Sequence, residues 1–184
     1  MLSKKHLIAF VLLLLAVTAH AQFNRTAVSV TGTDANACTT TAPCRTFGRA
    51  MSQTNSGGEI LALDSGGYGP FSVDRSVTVM AIPGAYAGIT ASAAGSDGVF
   101  VNAGVKAILR GLFITGLGAS NGINIGTSFT GTDVAVENCV INGFVDNGIR
   151  VDGYAAGNLF VTDVTVRNCG SSGIVAAGPM RVSV

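Results

Sequence analysis

Residues 136–153, VENCVINGFVDNGIRVDG, recur in altered form as residues 166–178, VRNCGSSGIVAAG. The feature that the two stretches share most closely is a glycine followed by a β-branched residue. It occurs four times with spacings of 24, 26 and 25 residues, as GVFV, GINI, GIRV and GIVA from Gly98, Gly122, Gly148 and Gly173. A period in this range, with no helical pattern inside it, indicates one coil of a solenoid per repeat.

The apolar residues between these glycines recur with the same period. In one repeat they are Ala107, Leu109, Leu112, Ile114, Leu117, Ile123 and Ile125. They recur as Val134, Val136, Cys139, Ile141, Phe144, Ile149 and Val151, and again as Leu159, Val161, Val164, Val166, Cys169, Ile174 and Ala176. Steps of two residues indicate strand alternation, and steps of three indicate corners. We predict an all-β parallel β-helix with about 25 residues and three short strands per coil.

This register also assigns the cysteines and asparagines of the repeats. Cys139 aligns with Leu112 and Val164, whereas Cys169 follows Leu117 and Phe144. The two cysteines are therefore predicted to be buried thiols in different columns and not bonded to each other. Four asparagines are predicted to be corner residues first and ligands second, namely Asn138, Asn142, Asn147 and Asn168.

The repeats with an Asn-Cys pair followed by Gly-Ile resemble those of the secreted right-handed parallel β-helix proteins of the pectate-lyase-like superfamily. The resemblance covers roughly residues 58–184. It implies the fold but not the activity, because that superfamily includes lyases, hydrolases, esterases, epimerases, adhesins and proteins of no known activity.

The chain begins with the pattern of an export signal. Lys4 and Lys5 precede an apolar run over residues 7–17 and the sequence Ala-His-Ala at 19–21, which predicts a signal peptide over residues 1–21, cleaved after Ala21. The apolar run is shorter than the about 20 residues that span a bilayer. The remaining chain has 9 basic and 10 acidic residues. This balance argues against a nucleic-acid partner, and the expected location is secreted or periplasmic, with no membrane span.

Residues 22–57 are predicted to cap the first coil with one short helix. Thr41 fits its N-cap, Pro43 fits its first turn, and Gly57 fits its end. The apolar stripe of this helix is Phe47, Ala50 and Met51. A helix laid across the open end of the first coil would protect the edge of the sheet.

Cys38 and Cys44 flank the approach to the predicted helix, with five residues between them. In an exported protein a disulfide between them is the favoured interpretation, and two free thiols are the alternative. No histidine follows the predicted signal peptide, so no zinc or other metal site is expected.

At the other end, Val184 corresponds to Leu159 in the 25-residue register. The sequence therefore stops as a coil begins, which indicates either a fragment of a longer protein or a last coil covered by another chain. The fragment is the favoured interpretation.

No catalytic constellation is recognisable. Without histidine, Ser-His-Asp and Cys-His arrangements are excluded from the mature chain. The clustered aspartates and Arg-x-Pro-x-x-Arg pattern of pectate lyases are missing, and so are the Asn-Thr-Asp, Asp-Asp and Gly-His-Gly blocks of polygalacturonases. Residues 65–73, SGGYGPFSV, look like the Gly-x-Tyr-x-Glu segment of pectinesterases but have no glutamate after Tyr68. We predict that they form a glycine-rich corner.

The marker strands offer a first group of candidate ligand-binding residues. Their outward positions are predicted to be Phe100, Asn124, Arg150 and Val175. Asp146 and Asp152 lie near Arg150, and this group could bind a uronate or, in a polysaccharide lyase only, calcium. The alternative is a surface ion pair of little energetic weight. No cofactor is otherwise expected.

Two tyrosines and one apolar row complete the candidates. Tyr86 and Tyr154 lie in loops rich in glycine and alanine, where an exposed ring could stack on a sugar, or could simply cover the flank of the coils. A second outward row, Ile108, Ala135 and Phe160, is apolar enough to indicate contact with a loop, a missing segment or a partner.

These features favour a secreted β-helix protein, non-catalytic or of an activity outside the known signatures, that presents a surface to extracellular or envelope polysaccharide or to another protein. One alternative is a polysaccharide lyase or glycoside hydrolase with its catalytic residues beyond Val184. Another is a structural or adhesive surface protein. The oligomeric state is left open.

Overall fold

The computed structural model describes residues 23–126, 131–152, 157–178 and 181–184. The predicted signal peptide lies outside these residues. The chain forms a parallel β-solenoid of about four turns with about 25 residues per coil and one short helix, as the repeat pattern predicts. No helix in the described part of the chain is long and apolar enough to cross a membrane.

The strands are short, and each complete coil contributes one to each of three sheets, while β1 and β17 extend the first sheet at its two ends. In chain order they are β1 (Phe23–Val28), β2 (Thr54–Ala62), β3 (Gly66–Gly67), β4 (Phe71–Val73), β5 (Val77–Ala81), β6 (Ala87–Ala91), β7 (Asp97–Val101), β8 (Lys106–Arg110), β9 (Leu112–Gly116), β10 (Asn121–Ile125), β11 (Thr132–Glu137), β12 (Val140–Asn142), β13 (Asn147–Val151), β14 (Gly157–Thr162), β15 (Thr165–Arg167), β16 (Ser172–Ala176) and β17 (Arg181–Ser183). The first sheet has the order β1-β2-β5-β8-β11-β14-β17. The second has the order β3-β6-β9-β12-β15, and the third the order β4-β7-β10-β13-β16.

Equivalent inward residues stack directly from coil to coil, which forms a continuous apolar core. In the second sheet, for example, Ile89 pairs with Ile114, Ile114 with Ile141, and Ile141 with Val166. The first three of these four are fully buried. Strands of two to nine residues cannot bury a face alone, so the stacking of coils about 4.8 Å apart stabilises them.

One corner departs from the predicted columns. Leu117 was assigned inward together with Phe144, but Leu117 is 65% exposed while Phe144 is 2% exposed. The Phe144 ring lies against Gly116, Gly122 and Gly98, where added Cβ atoms would lie 2.7, 3.2 and 3.5 Å from it. Because one ring fills the corner of the preceding coils, no space is left there for Leu117.

The free cysteines are separate, as predicted, but only one is fully buried. Cys139 is 1% exposed and accepts a hydrogen bond on Sγ from the Leu112 backbone N–H at 3.4 Å. Burial raises the pKa of the Cys139 thiol to about 11, so it packs as a small apolar group. Cys169 is half-buried, which corrects the prediction for that residue. Its coil is less covered as a whole, and Ala176, also predicted inward, is exposed.

Corner asparagines adopt the left-handed backbone conformation at two of the four predicted positions. Asn138 and Asn168 have φ values of 50° and 54°, and Asp163 has 53° one coil after Asn138. Such angles favour asparagine, aspartate and glycine. The prediction was wrong for Asn142 and Asn147, which lie in β12 and β13.

The helix α1 (Phe47–Gln53) buries the predicted residues, but its ends differ from the prediction. Its N-cap is Thr46, not Thr41, and Pro43 precedes the helix. The Thr46 Oγ1 accepts a hydrogen bond from the Arg49 N–H at 3.1 Å, and Asp34 accepts bonds from the Thr46 N–H and Oγ1. The helix ends at Gln53, before Gly57, because Thr54 is extended and starts β2.

The segment before α1 covers the edge of the first sheet. The predicted disulfide between Cys38 and Cys44 is present. The Cys38 carbonyl accepts a hydrogen bond from Ala27 N–H at 2.8 Å, and Cys44 N–H donates to the Ala27 carbonyl at 3.0 Å. The second half of β1 is thereby paired on both sides, which hinders edge-to-edge association at this end. Phe47 packs on the first coil, 4.9 Å from the ring of Phe71.

Candidate functional site

The third sheet carries the predicted outward row. Asn124 pairs with Phe100 on one side and Arg150 on the other, and Arg150 pairs with Val175. The outward positions of the marker strands are therefore confirmed. Ligand binding by this row stays a prediction.

Arg150 forms an ion pair with Asp152, which directly follows the strand β13 that contains Arg150. The distance between Arg150 Nε and Asp152 Oδ1 is 2.7 Å, and 46% of the Arg150 side chain is exposed. Asp146 lies at the preceding corner, where its backbone N–H donates to the Ser120 carbonyl at 2.9 Å. Such a half-exposed pair contributes at most about 1 kcal/mol, so Arg150 has little structural role and remains accessible to an anion.

Asn124 is held by a neighbouring aspartate that the sequence reasoning missed. Its Nδ2 donates to Asp97 Oδ2 at 2.8 Å, and the other oxygen of Asp97 accepts from Asn121 Nδ2 at 2.8 Å. Asn147 Nδ2 continues this ladder to Asn121 Oδ1 at 3.0 Å. The Asn124 Oδ1 atom is buried and has no hydrogen-bond partner among the described residues. The amide nitrogen of Asn124 therefore helps to hold neighbouring coils together, while its amide oxygen makes no such contact.

Tyr86 directly precedes β6 of the second sheet, whereas Arg150 lies in β13 of the third sheet. Its ring stacks on Phe113 with centroids 4.4 Å apart and 36° between the planes. It lies across Gly88, where a Cβ atom would come within 2.8 Å of the ring. Tyr86 is 45% exposed, so the ring both covers the flank of the coils and keeps a free surface. Tyr154 lies outside the described residues.

Two rows of side chains extend this aromatic pair over the outer surface of the second sheet, which we call the aromatic face. In the first row Gly88, Phe113, Val140 and Thr165 stack in register. The second row consists of Thr90, Thr115, Asn142 and Arg167. A platform of aromatic and apolar groups thus lies beside a row of hydroxyl, amide and guanidinium groups.

Of the aromatic face, the sequence reasoning had singled out only Tyr86, as a candidate for sugar stacking, and Asn142, as a corner residue. The signal was present in the repeat itself. Phe113 and Thr115 flank the inward Ile114, and Val140 and Asn142 flank the inward Ile141, so both pairs must point outward.

The first sheet carries the predicted apolar row in register. Ala135 pairs with Ile108 on one side and with Phe160 on the other, and Phe160 is 49% exposed. These residues line a groove of about 400 Å³. Ion pairs flank the row, with Lys106 Nζ 3.5 Å from Asp133 Oδ2 and Arg110 Nη2 2.6 Å from Glu137 Oε2.

The glycine-rich segment 65–73 holds a buried tyrosine. The Tyr68 hydroxyl is hydrogen-bonded to the Asp64 carboxylate and lies 2.7 Å from the Asp64 backbone carbonyl. Burial, together with the hydrogen bond to the Asp64 carboxylate, raises the pKa of Tyr68 well above its usual range. Burial also raises the pKa of Asp64, but hydrogen bonds from Ser29 and Tyr68 outweigh it and hold that pKa below its usual value. Tyr68 is only 2% exposed, and its contact with Asp64, which also bonds to Ser29 and Val30, joins the first coil to the end of β1.

Neither metal ligands nor relatives identify an activity. No group of three or more His, Cys, Asp or Glu residues that could hold a metal ion occurs in the described part of the chain. No protein-family model matches the sequence, and no curated protein or solved structure matches it significantly. The parallel β-solenoid is established from the structure, and membership of the pectate-lyase-like superfamily stays a prediction.

Proposed function

We propose that this protein is an exported, non-catalytic β-solenoid that binds extracellular or envelope polysaccharide on its aromatic face. The observation that carries the proposal is the stacked pair of Tyr86 and Phe113, which keeps an exposed ring on the outer surface of the second sheet. The pair is held in place because Gly88 leaves room for the Tyr86 ring.

The chemistry of the aromatic face suits a sugar polymer. The C–H face of a pyranose is apolar and packs on aromatic rings, while its hydroxyl groups need hydrogen-bond partners at the edge. Thr90, Thr115 and Asn142 supply donors and acceptors beside the platform. Because the polar row has one such group about every 4.8 Å along the solenoid, successive sugars of one chain would each lie beside a hydrogen-bonding side chain.

Arg167 gives the polar row a cationic end. It pairs with Asn142 in the sheet and is exposed. A guanidinium binds carboxylates in bidentate geometry, so an acidic sugar at this end would gain a charge-assisted contact. The proposal therefore includes uronate-containing polymers, and it needs no cofactor.

Export is supported by the disulfide and by the first residues of the sequence. The Cys38–Cys44 bond is typical of oxidising compartments. Residues 1–21, outside the described part of the chain, have the composition of a signal peptide. Secretion or periplasmic location places the aromatic face where polysaccharide occurs.

A glycan array on the full chain and two variants tests the proposal. We expect binding to one or more polysaccharides that Tyr86→Ala weakens by at least about tenfold, since one stacked ring contributes over 1 kcal/mol. Phe160→Ala is the matched control, because it removes an exposed aromatic ring from the first sheet, away from the aromatic face, and should leave binding unchanged. Equal loss in both variants, or no binding to any glycan, would contradict the proposal.

The same protein should be tested for lyase activity by the absorbance of unsaturated uronate. We expect no product from any polymer that it binds. A rise in absorbance would overturn the non-catalytic part of the proposal and leave the binding face intact.

A further inference from the structure

The outer surface of the first sheet carries three parallel rows of side chains. The central row runs through Thr78, Ile108, Ala135 and Phe160. On one side lie Ser76, Lys106, Asp133 and Asn158, and on the other Met80, Arg110, Glu137 and Thr162. We call this surface the charged-rim face, because ion pairs border its apolar centre.

The two ends of the charged-rim face differ in the size of their side chains. At the β5 end the groove is lined by small groups, among them Gly57, Ser76 and Thr78. At the β14 end Phe160 projects with 49% of its surface exposed. The face therefore has a hollow at one end and a protruding ring at the other, three strands away.

We propose that this face binds a second copy of the same chain, related by a two-fold axis that runs parallel to the strands, midway between β8 and β11. This axis exchanges β8 with the partner's β11 and β5 with the partner's β14. The partner's Phe160 then lies over Thr78, in the hollow of the groove, and the partner's Ala135 lies over Ile108. Each protruding ring enters the hollow of the other molecule, as an isologous interface requires.

With this axis, opposite charges face each other across the interface. With a two-fold axis along the solenoid, like charges would face each other. Lys106 faces the partner's Asp133, and Arg110 faces the partner's Glu137, so each intramolecular pair meets the opposite pair and forms a quartet of alternating charge. A two-fold axis along the solenoid would instead place Lys106 against the partner's Arg110, and Asp133 against the partner's Glu137. Like charges in contact are unfavourable, so only the first axis gives a complementary interface.

The small area of the face indicates a weak dimer, which is populated only as the protein concentration rises. Strands about 4.8 Å apart and about 3.3 Å per residue give a footprint of roughly 450 Å² per molecule for this sheet. Such an area belongs to weak, reversible complexes. The aromatic face lies on another sheet and stays free, so this inference does not depend on the proposed polysaccharide binding.

Mixing two charge variants of the full chain tests the axis directly. The acidic variant carries Lys106→Glu and Arg110→Glu, and the basic variant carries Asp133→Lys and Glu137→Lys. By sedimentation, the unmodified chain should shift with concentration from the mass of one chain toward twice that mass. Each variant alone should remain at the mass of one chain, and an equimolar mixture should recover the dimer, because the partners then carry opposite charges.

The mixture controls for folding, since each variant loses the same intramolecular pairs alone and when mixed. A single-chain mass for the unmodified protein at every concentration would overturn the proposal. Failure of the mixture to dimerise, or undiminished dimerisation of each variant alone, would overturn it as well.

Phe160→Ser provides an independent test of the protruding ring. We expect it to raise the dimer dissociation constant by about tenfold or more. Leu117→Ser is the matched control, because Leu117 is also exposed and lies outside the face. An equal effect of both substitutions, or none from Phe160→Ser, contradicts the proposed contact.

Discussion

Phe144 shows how a single residue organises several coils. It lies at a corner of its own coil, and its ring reaches Gly116 and Gly122 of the preceding coil and Gly98 of the coil before that. The three glycines leave the space that the ring occupies. The Phe144 ring and the three glycines thus form a single packing unit.

Phe144→Ala should therefore lower the stability strongly. Loss of a fully buried phenylalanine costs about 3–5 kcal/mol, because the cavity adds to the lost burial. Leu117→Ala, at the position that the repeat pattern had equated with Phe144, should change stability by less than about 0.5 kcal/mol. Thermal and urea unfolding of both variants measure the difference. Similar losses would mean that the two residues share the core.

A second prediction at the residue scale concerns Asp64. Its carboxylate accepts hydrogen bonds from Ser29 Oγ at 2.6 Å, Val30 N–H at 3.0 Å and the Tyr68 hydroxyl. Asp64→Asn should lower stability at neutral pH by about 1–3 kcal/mol, because a charged acceptor of several donors is replaced by an amide. Asp163→Asn is the control, since Asp163 lies exposed at a corner whose positive φ suits asparagine.

The pH dependence of this effect follows from the lowered pKa of Asp64. A carboxyl group with a depressed folded-state pKa stabilises the protein at pH values above its unfolded pKa of about 3.9. That contribution is lost as the pH falls through the folded-state pKa. The stability difference between the unmodified chain and Asp64→Asn should therefore shrink below about pH 4. A difference that is constant from neutral to strongly acidic pH would contradict this account.

The sequence predicts the placement of some side chains but not of others. Inward positions such as Ile114 and Ile141 could be assigned, because alternation and a 25-residue period both constrain them. Leu117 could not, since its place depends on the size of a ring from the next coil. Tyr86 was identified as a candidate, but its contact with Phe113 depends on Gly88 lying under it, which no local pattern expresses.

At the scale of elements, the cap depends on the disulfide-bonded segment as much as on α1. The segment between Cys38 and Cys44 pairs with β1, and Asp34 anchors the start of the helix through Thr46. The sequence predicted the helix and its buried stripe from spacing. Its ends could not be predicted, because the carboxylate of Asp34 that anchors the N-cap is 12 residues before Thr46, and because Gly57 lies within β2.

Cys38→Ser with Cys44→Ser should lower the melting temperature and increase aggregation. A loop of this length loses roughly 2 kcal/mol of stabilisation when it is no longer closed, and the loosened segment exposes the edge of β1. A reductant should lower the melting temperature of the unmodified chain and leave that of the double variant unchanged. Equal sensitivity to reductant in both would show that the effect arises elsewhere.

At the scale of the whole molecule, the three sheets divide their outer surfaces between different chemistries. The second sheet carries rings and hydrogen-bonding groups, the first an apolar row with charged borders, and the third the Asn124 and Arg150 row. Each surface is assembled from residues about one coil apart. The repeat pattern predicts that such rows exist, whereas their chemistry depends on individual outward residues that the period leaves free.

The one-to-one register between coils has a consequence for how such a protein changes over generations. Val134, Val136 and Leu159 keep the same spacing as the residues that they stack on, so one coil can follow another without adjustment of the core. Duplication of one coil in the gene would lengthen all three surfaces by one row at once. The length of these surfaces is therefore inherited in whole coils, and the outward residues of each coil can diverge afterwards without disturbing the core of its neighbours.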